Sequence, residues 1–67
     1  MKFKNLEAEM VRKDVSRAEL AKELNISYRS LGLKINAVRN FKDDEMFAIK
    51  RILKTDLSLD DLFQKEE

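Results

Sequence analysis

A helix over residues 28 to 36, YRSLGLKIN, turns ~100° per residue and so places Arg29, Ser30, Leu33 and Asn36 on the side opposite Leu31 and Ile35. Those residue types suit the reading of base edges in a DNA groove. Arginine donates two hydrogen bonds to guanine, serine and asparagine donate or accept, and leucine covers the methyl group of thymine. Tyr28, at the first position, stands where the start of such a helix reaches toward bases or a nearby phosphate. Each of these is an ordinary solvated side chain when taken alone; their weight comes from sharing one face.

Two elements must position them. Ser16 and Glu19 form an S-x-x-E capping box that opens a helix over residues 17 to 24. Leu20 and Leu24 recur on one face of it, and the small Ala21 beside them lets a second helix cross closely. Asn25 tolerates the left-handed conformation that ends a helix, Ile26 plugs the corner, and Ser27 caps the next helix. The unit from 17 to 36 therefore reads as a helix-turn-helix with residues 28 to 36 as its recognition helix. Gly32 stands out inside it. A mid-helix glycine costs about 1 kcal/mol relative to alanine, so either the DNA backbone approaches closely there or the helix is simply weakened.

Charge marks the same stretch. Residues 1 to 54 carry 13 basic and 8 acidic side chains, whereas residues 55 to 67 carry one lysine against five acids. Between Asn25 and Lys42 stand four bases, Arg29, Lys34, Arg39 and Lys42, and no acid. A phosphate backbone belongs there, and binding should weaken with salt at a slope near −0.9 per phosphate contact. Asp43, Asp44 and Glu45 then complement the dipole of the following helix, while repelling any phosphate at its start.

Leu20-Ala21, Leu24, Ile26-Ser27, Leu31 and Lys34-Ile35-Asn36 resemble the lambda-repressor-like, Cro-type helix-turn-helix domains, in particular small phage and Gram-positive bacterial versions. The likeness extends to Lys4-Asn5-Leu6, Ala8-Glu9-Met10, Phe41, Asp44-Glu45, Leu57-Ser58-Leu59-Asp60 and Leu62-Phe63, and so covers nearly the whole chain. It implies a sequence-specific transcriptional regulator acting in the bacterial cytoplasm, most often a repressor, with double-stranded operator DNA as partner and a homodimer at least on DNA. Carried over by motif position, Ser27, Tyr28, Arg29 and Leu33 would read bases, with Arg17, Ser30 and Lys34 near phosphates. Asn36, Arg39 and Lys42 complete the expected phosphate contacts.

The remainder of the 67 residues suits one small all-α domain of five helices over residues 1 to 67, with one glycine, no proline, and 40% charged beside 43% apolar residues. Further helices are expected near 5 to 14, 44 to 54 and 59 to 64, the last opened by Ser58. The expected core is Leu6, Met10, Leu20, Leu24, Ile26, Leu31, Ile35, Phe41, Met46, Ile49, Leu53, Leu59 and Leu62. Phe63 either packs within its own chain or meets its twin across a two-fold axis as a dimer contact. Without cysteine or histidine there is no disulfide, no zinc finger and no thiol or imidazole catalysis, and no cofactor, metal or small-molecule ligand is expected. No apolar run approaches the ~18 residues of a membrane span. Catalysis has little support, since the carboxylates sit at helix starts or on solvated faces. The competing reading is a small helical adaptor or antitoxin-like module in which Tyr28 and Leu33 anchor a protein partner.

Overall fold

The computed structural model describes residues 2–65. It is all-helical among those residues: α1 (Lys4–Arg12), α2 (Arg17–Leu24), α3 (Tyr28–Ile35), α4 (Asp43–Leu53) and the single turn α5 (Leu59–Leu62). The ranges for α2, α3 and α4 agree with the sequence reading to within a residue. The first helix ends earlier than the expected 14, and the last stops short of 64.

Serines open three of the five helices. Ser16 Oγ accepts from the Glu19 N–H at 3.1 Å, Ser27 Oγ from Ser30 at 3.0 Å and Ser58 Oγ from Asp61 at 3.1 Å. At the start of α4 the direction is reversed, with the Lys42 N–H donating to Glu45 Oε1 at 2.8 Å.

Helix ends are more unusual. Asp14, Asn25, Ala37 and Lys54 all have positive φ, at 56°, 58°, 62° and 50°, so the four longer helices each close on a left-handed residue that is not glycine. Three closures carry both bonds of a Schellman motif. After α1 they run from Val15 N to Met10 O (2.9 Å) and Asp14 N to Val11 O (3.2 Å). After α2 they run from Ile26 N to Ala21 O (3.0 Å) and Asn25 N to Lys22 O (3.1 Å). After α3 they run from Val38 N to Leu33 O (2.9 Å) and Ala37 N to Lys34 O (3.1 Å).

The core collects Leu6 and Met10 of α1, Leu20 and Ala21 of α2, Leu31 and Ile35 of α3, Ile49 and Leu53 of α4 and Leu62 of α5. Leu24, Ile26, Phe41, Met46 and Leu59, expected inside, form a half-buried rim. Phe3 was not expected inside, yet it is 4% exposed. Its ring meets Phe41 edge-on at 5.6 Å and Phe63 at 6.0 Å, and Phe41 meets Phe63 at 5.1 Å. Phe63 thus packs within its own chain, the first of the two roles open to it, with its ring half-buried. Edge-to-face pairs are worth about 0.5–1.5 kcal/mol each beyond burial, so this triad pins the segment after α3 to residues from both ends of the fold.

A second, polar tie joins α1 to the link between α4 and α5. The Thr55 hydroxyl donates to buried Glu9 Oε1, and Arg12 donates to Glu9 Oε2 at 2.8 Å. The Leu57 N–H donates to Thr55 Oγ1 at 3.2 Å, and Lys50 Nζ donates to the Thr55 and Leu57 carbonyls at 3.0 and 2.6 Å. The Thr55 hydrogen bond, assisted by the charges of Arg12 and Lys13, holds the Glu9 carboxyl below its ordinary pKa against the opposing effect of burial.

Candidate functional site

α3 turns Leu31 and Ile35 into the core, because those two side chains lie four residues apart on one stripe, and leaves the side bearing Tyr28 and Arg29 to solvent. Tyr28 is 59% exposed at the first helical position, Arg29 is exposed beside it, and Ser30, Gly32 and Leu33 are half-buried. Asn36, Arg39 and Lys42 are exposed in the segment after the helix. Of the four side chains expected to face outward, Arg29 and Asn36 are exposed, while Ser30 and Leu33 present only part of their surface. The three-residue corner between α2 and α3 holds by the Asn25 and Ile26 bonds already described.

Ser27 is largely occupied by its capping task. Its Oγ accepts from Ser30 N and donates to Ser30 Oγ at 2.9 Å, so the hydroxyl hydrogen left for a ligand is that of Ser30. On sequence alone the two serines have separate tasks; their spacing of three residues in fact makes them a pair.

Lys34 requires a correction. Expected at a phosphate, it is buried, with Nζ 2.6 and 2.5 Å from the two carboxylate oxygens of Glu45. Its position on α3 borders the Leu31–Ile35 stripe, and the third residue of α4 reaches back across the boundary to meet it. Glu45 thus caps α4 through Lys42 N and fixes α3 through Lys34. Burial pushes the Glu45 carboxyl up, but the hydrogen bonds from Lys34 and the Lys42 N–H and the charges of both lysines leave it below its ordinary value. Glu45 looked in the sequence like a partner of the helix dipole alone.

Arg17 is also engaged. It is half-buried, and its guanidinium lies 3.9 Å from Glu7 Oε1. The exposed cations of the α3 surface are accordingly Arg29, Arg39 and Lys42, with Asp43 and Asp44 exposed just beyond them.

Two features of this surface had no role in the sequence reading. Val38 is 70% exposed at the tip of the α3 closure, immediately before Arg39. Gly32 faces open space: beyond its immediate neighbours and its own helix backbone, a Cβ added there meets nothing within 4 Å. Packing inside the protein thus gives no reason for the glycine. Among the described residues no group of three or more carboxylates has metal-binding spacing, and no helix is long and apolar enough to cross a membrane.

No family model matches this chain, and no curated protein or solved structure shows significant similarity to it.

Proposed function

We propose that this chain is a sequence-specific double-stranded-DNA-binding transcriptional regulator of the lambda-repressor-like, helix-turn-helix kind, with α3 as the helix that enters the major groove. The observation that carries this reading is the coincidence of an accessible α3 face, bearing Tyr28, Arg29, Leu33 and Asn36, with an acid-free run from Asn25 to Lys42. Arg29 supplies a bidentate donor for guanine, and Tyr28 and Leu33 supply contact surface. Ser30, Asn36, Arg39 and Lys42 reach phosphates, while Lys34 serves only to hold α3 against α4. A domain of this size acts most simply by occupying a promoter, that is, as a repressor.

Selection of bound duplexes from a random library at low salt tests this. Enrichment of a defined sequence, with a log–log salt slope of about −1.8 per bound copy for the two phosphate-facing cations Arg39 and Lys42, is the expected result. Failure to retain any duplex at low salt overturns the reading.

One observation favours a protein partner instead: Tyr28 and Val38 are large apolar side chains exposed at either end of α3. A groove-binding partner would use them as anchors, and its affinity would barely change with salt.

A further inference from the structure

Phe47 is 59% exposed in the middle of α4, among the most accessible large apolar residues of the fold. The inward side of α4 is set by Ile49 and Leu53, both buried. Stepping ~100° per residue, Asp43, Phe47, Arg51 and Lys54 fall within ~80° of one another on the opposite side, with Asp44 at its edge. All are exposed. Among the described residues Asp43, Arg51 and Lys54 form no intramolecular ion pair, and the one side-chain bond of Asp44, Oδ1 to Glu45 N at 2.9 Å, is local to the helix start.

Charge is ordered along this stripe. Acids occupy its first turn, an aromatic ring its centre and bases its last turn, and Asp43 and Arg51 are equidistant from Phe47 at four residues either way. At 1.5 Å per residue each lies ~6 Å along the axis from the ring. A two-fold axis through Phe47 carries such a helix onto an antiparallel copy of itself. Asp43 of each copy then stands level with Arg51 of the other, and the two rings meet at the axis. A parallel alignment sets acid against acid and base against base. The stripe is complementary to itself in one orientation only, which is the requirement of an isologous interface.

We infer that the exposed face of α4 is a dimer surface, with a second copy of this chain as its occupant and the helices antiparallel about Phe47. This goes beyond DNA binding and does not rest on it, because the stripe shares no residue with the α3 surface and the association is measured without DNA. A contact three turns long lies at the small end of protein interfaces, so a dissociation constant on the order of 10–100 µM is expected.

Sedimentation equilibrium across that range tests it, with far-UV circular dichroism to verify that each variant keeps its helices. The unaltered chain dimerises, and Phe47→Lys is monomeric throughout. Asp43→Arg and Arg51→Asp each turn two attractive pairs into repulsive ones and weaken the dimer ~10-fold. Mixing the Asp43→Arg copy with the Arg51→Asp copy restores both pairs, so heterodimers form within ~3-fold of the original affinity. A chain that stays monomeric to ~1 mM overturns the inference, since even a weak interface would be filled there. So does a mixture no better associated than its components, or a Phe47→Lys variant that dimerises undiminished.

Discussion

The Lys34 ammonium lies 2.5 Å from Glu45 Oε2, with only 10% and 11% of the two side chains exposed, and this one pair joins α3 to the first turn of α4. A pair so shielded is more costly to break than to replace. Lys34→Ala leaves the Glu45 carboxylate without its counter-ion and should destabilise the fold by about 3 kcal/mol, read as a shift in the urea midpoint. Lys34→Met with Glu45→Met should recover most of that loss. A Lys34→Ala variant of unchanged stability but weaker DNA affinity would return Lys34 to the phosphate contacts.

Acid should unfold the protein through two identified carboxyls. Glu9 and Glu45 both titrate lower in the folded chain than in the unfolded one. The stability they contribute is complete above the ordinary carboxylate range and is lost as the pH falls through their folded-state values. Urea midpoints measured from about pH 7 down to 3 should therefore decline at the acid end, and Glu45→Gln should start lower at neutral pH but decline less.

The left-handed helix ends offer stabilising substitutions. Ala37 at φ 62° and Lys54 at φ 50° bear a Cβ in a conformation glycine adopts freely. Ala37→Gly and Lys54→Gly should each add ~1 kcal/mol, seen as a higher thermal midpoint. Asn25→Gly should change little, because asparagine already tolerates that geometry.

Gly32 separates folding from binding. With nothing of the chain near its missing Cβ, Gly32→Ala should stabilise α3 by about 1 kcal/mol. If DNA lies against α3, the same substitution should weaken binding to the selected duplex. Equal affinity in the more stable variant would show that no ligand lies against Gly32.

Arg29 and Arg39 should behave differently on DNA. Arg29→Ala is expected to cost ~1–3 kcal/mol on the preferred duplex and less on unrelated sequences, as loss of a base contact does. Arg39→Ala should weaken all duplexes alike and make the salt slope shallower by about 0.9. Competition binding with specific and scrambled duplexes distinguishes the two.

The helices were legible in the sequence because their signals are local: Ser16, Ser27 and Ser58 as caps, and the Leu31–Ile35 spacing. Asn25 was legible as a stop for the same reason. Asp14, Ala37 and Lys54 were not, since their left-handed geometry is imposed by the helix-closing hydrogen bonds around them rather than by their own preference. Burial of Lys34 was hidden for a related reason: its partner is eleven residues away on another helix. Helical periodicity placed the outward face of α3 but said nothing of which cations the fold would take for itself. Phe47 lies out of step with Met46, Ile49 and Leu53, and a large aromatic off the core stripe was the one available signal of a second surface.

The aromatic triad gives the Arg39 segment an unusual dependence. Phe41 sits two residues beyond Arg39, and its ring is wedged between Phe3 and Phe63, so the loop takes its shape from residues at opposite extremes of the sequence. Changing Phe3 or Phe63 to alanine should therefore loosen the backbone carrying Arg39 and Lys42 without touching either. A fusion or trimming scheme that disturbs either phenylalanine would masquerade as a defect in ligand recognition, although the recognising side chains were all intact.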